Sequence, residues 1–308
     1  MAADYGYCCI NMTLKKESNT YVGRKMIKRT FMEKGIKYAS ELAVLNIKDM
    51  IEIIKWNYKN GITMYRMSSD MFPWMSEYEL TDLPDYDKLS NLLKGAGQLA
   101  KQYGQRLTFH PGPFNVLASP NEAVVKKALK DLRQHSEIMD MLGLPQTPYA
   151  AINIHIGGTY DDKEATKRRF ADNFKRLVPG AANRLVIEND DKTAQYSVQD
   201  LYDIHLLTGK TPITFDYHHH WCYEDPMTEE DALKLASKTW PKGIRQLCHY
   251  SSCKQIHEDA NQGNKRAHAD YVYDHIETYG MDLDIELEAK AKELALLQYR
   301  KQFLEVLV

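Results

Sequence analysis

Residues 212–220 read PITFDYHHH. Ile213–Phe215 is short, apolar and β-prone, as a buried strand is, and Asp216 and three histidines follow directly at its end. Strand-like runs of this kind recur along the whole chain. They are expected at Tyr5–Met12, Ile62–Met67, Arg106–Phe109, Tyr149–Ile154, Leu185–Ile187, Ile213–Phe215, Gln246–Cys248 and Leu283–Leu287. Longer stretches with helical spacing separate them. Leu42–Tyr58 carries apolar residues near i, i+3, i+4 and i+7 and stops at Asn60-Gly61. Glu122–Leu142 is rich in Val, Ala, Leu and Met and ends at Gly143. Strand alternating with helix implies a parallel sheet. Eight such units in 308 residues, with no Pro/Gly/Ser linker, imply one α/β domain over residues 1–308, a closed (β/α)8 TIM barrel. A doubly wound open sheet would place a glycine-rich turn after its first strand. Cys8-Cys9-Ile10-Asn11 is no such turn.

In such a barrel the active site lies at the C-terminal ends of the strands. Those ends carry His110 (LTFHPG), His155 (INIHIGG), Glu188 (LVIEND), Asp216 with the triplet, His249 (QLCHYSS) and Glu288 (IELEAK). Any one of them alone fits a hydrogen bond or an ion pair. Six successive strand ends do not. Carboxylates crowded around one mouth repel unless something compensates, and divalent cations do so. Imidazole and carboxylate without thiolate suit manganese, zinc or iron. The donors outnumber what one ion needs, so two or three ions are expected. Clustered ions favour phosphoryl chemistry, although sugar isomerisation and peptide hydrolysis use paired metals too.

Composition limits the partners. The 40 basic and 42 acidic side chains leave a formal charge of −2, so no global positive field draws a polyanion, and nucleic-acid contacts must be local. Lys15-Lys16, Arg24-Lys25, Lys28-Arg29 and Lys265-Arg266 are available for phosphates, whereas Lys167–Arg169 reads as the solvated start of a helix. No apolar run approaches the roughly 18 residues of a membrane span. The opening MAADYGYCCI lacks the basic and apolar regions of a secretory signal. An odd set of cysteines without a CxxC pair argues for free thiols in a reducing compartment, cytoplasmic or nuclear.

In chain order, Gly6-Tyr7, Asn11–Leu14, Tyr65-Arg66 with Pro73, Gly104–Leu107, His110–Gly112 and His155–Gly158 resemble the UV damage endonuclease family. The likeness continues through Glu188–Asp190, the Asp216–His220 stretch, His249, Ala267–Ala269 and Glu288–Lys290, and so spans nearly the whole chain. That family is related to the endonuclease IV family of abasic-site nucleases. The resemblance implies a TIM barrel with a manganese-type cluster that nicks damaged double-stranded DNA immediately 5′ of a UV photoproduct. Carried over by position, the metal ligands would be His110, His155, Glu188, Asp216, His219, His249, His268 and Glu288, with Glu188, His155 and His249 nearest the chemistry. Zinc is the alternative metal. Tyr7, Phe114 and Asn115 would meet the lesion. Within the triplet, period-two alternation puts His218 on the face of Asp216, whereas the family match selects His219.

Three positions depart from the family pattern. Asp70, in RMSSDMFP, stands where many members have a histidine; it would either ligate a metal or bond a loop amide. Pro113-Phe114 replaces a Gln-Tyr pair. Phe114 can still wedge or stack on a base, while Pro113 removes a hydrogen-bonding side chain and stiffens the loop. Leu247 replaces a lysine that can be carboxylated to bridge metals. Glu286, two residues before Glu288, should face the barrel interior and form a structural ion pair with Arg66 or Arg184. The expected protein is thus a monomeric DNA-repair endonuclease. Abasic-site cleavage, sugar isomerisation or epimerisation, and damage binding without catalysis are the alternatives.

Overall fold

The computed structural model describes residues 3–261 and 263–305. Eight parallel strands form a closed barrel in sequence order, with the eighth back against the first. They are β1 (Asp4–Cys8), β2 (Met64–Met67), β3 (Arg106–Phe109), β4 (Ile152–Ile154), β5 (Leu185–Glu188), β6 (Ile213–Asp216), β7 (Gln246–Tyr250) and β8 (Leu283–Leu287). The helices through the first half are α1 (Met12–Ser18), α2 (Lys28–Lys59), α3 (Tyr86–Gln102), α4 (Glu122–Met141) and α5 (Lys163–Phe174). The second half adds α6 (Pro179–Arg184), α7 (Val198–Thr208), α8 (Tyr217–Tyr223), α9 (Glu229–Ser237), α10 (Lys254–His257) and α11 (Glu293–Tyr299). No helix among the described residues is long and apolar enough to cross a membrane.

Differences from the expected elements have local causes. β1 stops at Cys8, before Met12, because Cys9 takes a positive φ of 68° and the Asn11 side chain accepts from Leu14 N to cap α1. β4 begins at Ile152, since Pro148–Ala150 form a tight turn opened by the proline. α2 starts at Lys28 rather than Leu42 and kinks at Gly35, where φ is 67°. The His triplet lies in α8, which Asp216 caps directly after β6.

Period-two alternation divides each strand between the helix layer and the barrel interior. Outward residues such as Tyr7, Tyr65, Phe109, Ile187 and Phe215 join the main core, each large side chain contributing roughly 1.5–3 kcal/mol by leaving water. Inward, the barrel floor is an apolar cluster of Met64, Ala151, Val186 and Leu247, closed by Trp240. Beside it lies a buried ion pair, Arg106 to Asp284 at 2.6 Å, with Arg106 also donating to the carbonyls of Tyr149, Pro148 and Arg245. Gly6 is required here: a Cβ would sit 2.5 Å from the Met64 carbonyl oxygen, where β1 approaches β2. Above the floor the interior becomes polar.

Candidate metal centre at the barrel mouth

Glu188, the last residue of β5, is fully buried and four imidazoles converge on it. His110 Nε2, His249 Nδ1 and His155 Nε2 lie 3.0, 3.2 and 3.6 Å from its Oε2, and His219 Nδ1 lies 3.1 Å from its Oε1. The Asn153 amide donates to Oε2 from β4. Glu288, just past β8, faces them: His249 Nδ1 is 3.4 Å and His268 Nδ1 3.6 Å from its carboxylate, which the Arg66 guanidinium also contacts. Three overlapping sets, His110/His155/Glu188, His110/His249/Glu288 and Glu188/Asp216/His249, each bring one donor atom per residue within 4.8 Å of the others. Two ligands on one ion with bonds of ~2.1 Å lie at most ~4.2 Å apart, so small adjustments complete such a shell.

The hydrogen bonding supports that fit. Glu188 Oε1, Asp216 Oδ2 and His249 Nδ1 are buried without a hydrogen-bond partner. Buried polar atoms left unpartnered are costly. Divalent ions among them would use those lone pairs. Burial pushes the Glu188 carboxyl up, but His249, His155, His110 and His219 outweigh it and hold it well below the usual carboxylate range. Asp216 behaves oppositely, raised by burial and by the Glu188 and Glu288 carboxylates against the pull of His219.

A second set of carboxylates and amides orients these groups. His155 Nδ1 lies 3.0 Å from Asp190, and His249 Nε2 lies 3.1 Å from Glu286. Carboxylate partners of this kind fix ring orientation and raise imidazole basicity. The Asn189 side chain accepts from Asp216 N at 2.8 Å and donates to its carbonyl at 3.0 Å, clamping β5 to β6. Sequence reasoning gave Asp190 and Asn153 no role. The signal was available, since each stands two residues from a strand-end ligand candidate and shares its inward face.

The triplet resolves through helix geometry. Asp216 is the N-cap of α8, its Oδ1 accepting from His219 N at 2.7 Å. Residues three apart on a helix share a face, so His219, not His218, joins Asp216 at the mouth. His218 stacks on Trp221 and has Cys222 Sγ 3.6 Å from its Nε2; burial and two neighbouring histidines lower it to about 4. His220 packs beside Phe215.

Three sequence assignments need correction. Asp70 is half exposed, 3.6 Å from Lys25, and is not gathered into the cluster. Tyr7 points outward under α2, fully buried, donating to Asn57 Oδ1 at 2.8 Å and accepting from Asn11 Nδ2 at 3.0 Å. It cannot meet a DNA lesion from there. Asn115 keeps its place beside Phe114, largely buried but lining the mouth cavity, its amide donating to the Gly112 carbonyl at 3.1 Å. Arg184 does not approach Glu286; it is sealed behind α6 by Asp140 and the Ser136, Leu144 and Pro145 carbonyls. Arg66 does approach it, at 3.6 Å, alongside Thr108 and His249.

The remaining candidates ring the opening. Phe114 projects at 87% exposure from the turn after β3. His268 is delivered by the long β7–β8 connection, whose neck is tied by Lys254 N to Ala267 O and Ala269 N to Ser252 O. Lys265 pairs with Glu224 and Arg266 with Asp191, both on loops at the same end of the barrel. Between them the mouth holds a cavity of about 320 Å³ lined by Arg66, His110, Asn115, His155 and Glu288.

Fold and site together define a TIM barrel with an imidazole–carboxylate cluster of metal-binding type at its C-terminal mouth. The chain belongs to the UV-endonuclease UvdE family, whose model matches residues 3–307. It is 34% identical to the UV-damage endonuclease of Schizosaccharomyces pombe over 97% of this chain and 50% of that protein. A putative UV-damage endonuclease of Acanthamoeba polyphaga mimivirus is 32% identical over 97% of this chain and 91% of its own length. The crystal structure of SacUVDE superposes with a TM-score of 0.85 at 29% identity, covering 99% of both chains. Relative to its fungal relatives the chain spans about half their length.

Proposed function

We propose that this protein is a metal-dependent endonuclease that hydrolyses the phosphodiester on the 5′ side of a UV photoproduct in duplex DNA, leaving 3′-hydroxyl and 5′-phosphate ends. The observation that carries the reading is the convergence of four imidazoles on Glu188 at the mouth of a barrel of this family. His110, His155, Glu188, Asp216, His219, His249 and Glu288, with His268 at the rim, would hold two or three divalent ions, manganese before zinc. Such ions supply Lewis-acid polarisation of phosphoryl oxygens and activation of water near neutral pH.

The chain's own groups do the rest. Asp190 and Glu286 hold the imidazoles of His155 and His249 in register, and Asn153 fixes the Glu188 carboxylate. Arg66, at the cavity wall, offsets the negative charge of Glu286 and Glu288 and leaves the mouth able to accept a phosphate. Phe114 would enter the gap at a distorted base pair, as apolar wedges do when they unstack a step. Lys265 and Arg266 would exchange their present acidic partners for phosphates, making binding salt-dependent. The protein would act as a monomer, at the incision step of excision repair.

The test incubates duplexes carrying one UV photoproduct, one abasic site or no lesion with the protein and manganese, and maps any cut at nucleotide resolution. A cut immediately 5′ of the photoproduct, abolished by chelation and restored by manganese, is expected. Cleavage confined to the abasic duplex would move the substrate, and cleavage insensitive to chelation would remove the metal from the mechanism.

A further inference from the structure

Phe114 stands on a four-residue turn whose construction is asymmetric. Asn115 closes that turn twice, its backbone N–H and its side-chain amide both donating to the Gly112 carbonyl, at 3.2 and 3.1 Å. Pro113 fixes one backbone angle within it. On one side, however, the turn borders a cavity of about 390 Å³, lined by Phe72, Trp74, Met75, Phe114, Asp131 and His135 among others. An exposed aromatic ring beside an aromatic-lined void has an apolar place to fall into. Something must hold it out.

Beneath the turn lies a pair on α4, His135 buried and Asp131 partly exposed. The Asp131 and Asn115 side chains line the same cavity, and Asp131 Oδ2 is 3.3 Å from His135 Nδ1, whose hydrogen bond runs to the Asp131 carbonyl oxygen at 2.9 Å. His135 is 1% exposed and meets the Phe109 ring edge-on at 4.9 Å. Phe109 is the last residue of β3, immediately before His110. The pair therefore connects the strand that carries a candidate metal ligand to the floor of the turn that carries Phe114. Nothing else in the candidate metal centre uses it.

We propose that Asp131 and His135 are positioning residues that hold the Gly112–Asn115 turn raised, and so set how far Phe114 projects toward a distorted base pair. The inference rests on the reading of Phe114 as the lesion contact. Asp131 supports Asn115 from below, His135 keeps the Asp131 carboxylate aimed upward, and Phe109 backs the imidazole. Lesion discrimination then depends on a helix residue that touches neither DNA nor metal.

A double-mutant cycle tests this. Steady-state nicking of a UV-photoproduct duplex is measured for the native protein, Phe114→Ala, His135→Leu, Asp131→Asn and the two combinations with Phe114→Ala, with manganese content and melting temperature recorded for each. Phe114→Ala is expected to raise KM roughly tenfold, the low end of what one base–aromatic stack contributes, with kcat changed less than about twofold. His135→Leu and Asp131→Asn should each raise KM several-fold alone and add almost nothing in the Phe114→Ala background, and His135→Asn, which keeps a donor near the Nδ1 position, should restore most of the loss. If His135→Leu fails to fold, Asp131→Asn carries the cycle, with His135→Asn as its near-native control. A normal Phe114→Ala effect with multiplicative losses in the double variants overturns this inference alone. An unchanged KM in Phe114→Ala overturns the lesion-contact reading, and the inference with it.

Discussion

The two ends of the barrel interior are built from similar materials to opposite ends. At the floor, Arg106 meets Asp284 and three carbonyls, and Met64, Ala151, Val186 and Leu247 fill the remaining space. At the mouth, Glu188, Asp216 and His249 are as deeply buried, yet several of their atoms have no hydrogen bond. Burial of charge is thus common to both, and hydrogen-bond satisfaction separates them. The floor neutralises its charges within the chain. The mouth gathers donors whose charge is balanced only in part by Arg66 and the imidazoles, an arrangement that could hold divalent cations.

That contrast can be broken at its strongest point first. Glu188→Gln keeps the shape and the amide contacts but removes the carboxylate, so nicking of a photoproduct duplex should fall by roughly a thousandfold or more, while unfolding free energy in urea changes by less than about 2 kcal/mol. Retention of a tenth of native activity would sink the assignment. At the floor the balance should reverse. Leu247→Lys places an ammonium among Met64, Ala151 and Val186, and should lower stability by about 3–5 kcal/mol, as an unpartnered buried charge does. Elemental analysis should show no added metal per chain. A stable Leu247→Lys protein that gained an ion would show that floor and mouth are one site. A smaller effect probes the boundary: Asp190→Asn removes the partner of His155 Nδ1 and should weaken manganese binding by roughly 10–100-fold, read by titration, without unfolding the protein.

Much of the mouth was legible in the sequence because its signal is positional. Strand ends announce themselves by an apolar run giving way to a polar residue, and period-two spacing carries Glu286 and Asp190 inward with Glu288 and Glu188. What inward period-two spacing could not place were the residues on the outward face, at a helix start and in turns. Tyr7 lies one residue before the end of β1, and its parity turns it to the helix layer, where Asn11 and Asn57 hold its hydroxyl. His219 reaches Glu188 because the chain begins α8 at Tyr217, replacing a spacing of two by one of three. Asp70 sits in a turn, where neither period applies. Arg184 had the right parity for Glu286 but is the last residue of α6, not part of β5. No sequence pattern pointed to Asp131 and His135, since an Asp–His pair at i, i+4 on a helix looks like any other surface ion pair until the helix face is known.

That pair also gives the mildest prediction, which comes from its titration. Burial disfavours both charges, but Asp131 outweighs it and raises His135 above its ordinary value of 6.5, while His135 and the Asn115 amide lower Asp131 below its ordinary 3.8. A raised imidazole contributes stability that is fully present below 6.5 and is lost as pH rises through the folded-state value. A lowered carboxyl contributes stability that is fully present above 3.8 and is lost as pH falls through its folded-state value. Both contributions are therefore at full strength together only between those two ordinary values. The melting temperature of the native protein should exceed that of His135→Asn most in mildly acidic buffer, by about 2–4 °C, and the gap should close as pH is raised beyond 6.5 and again as it falls below 3.8. A gap that widened with rising pH would mean that His135 is neutral in the folded protein, and that the turn beneath Phe114 rests on an uncharged hydrogen bond instead of an ion pair.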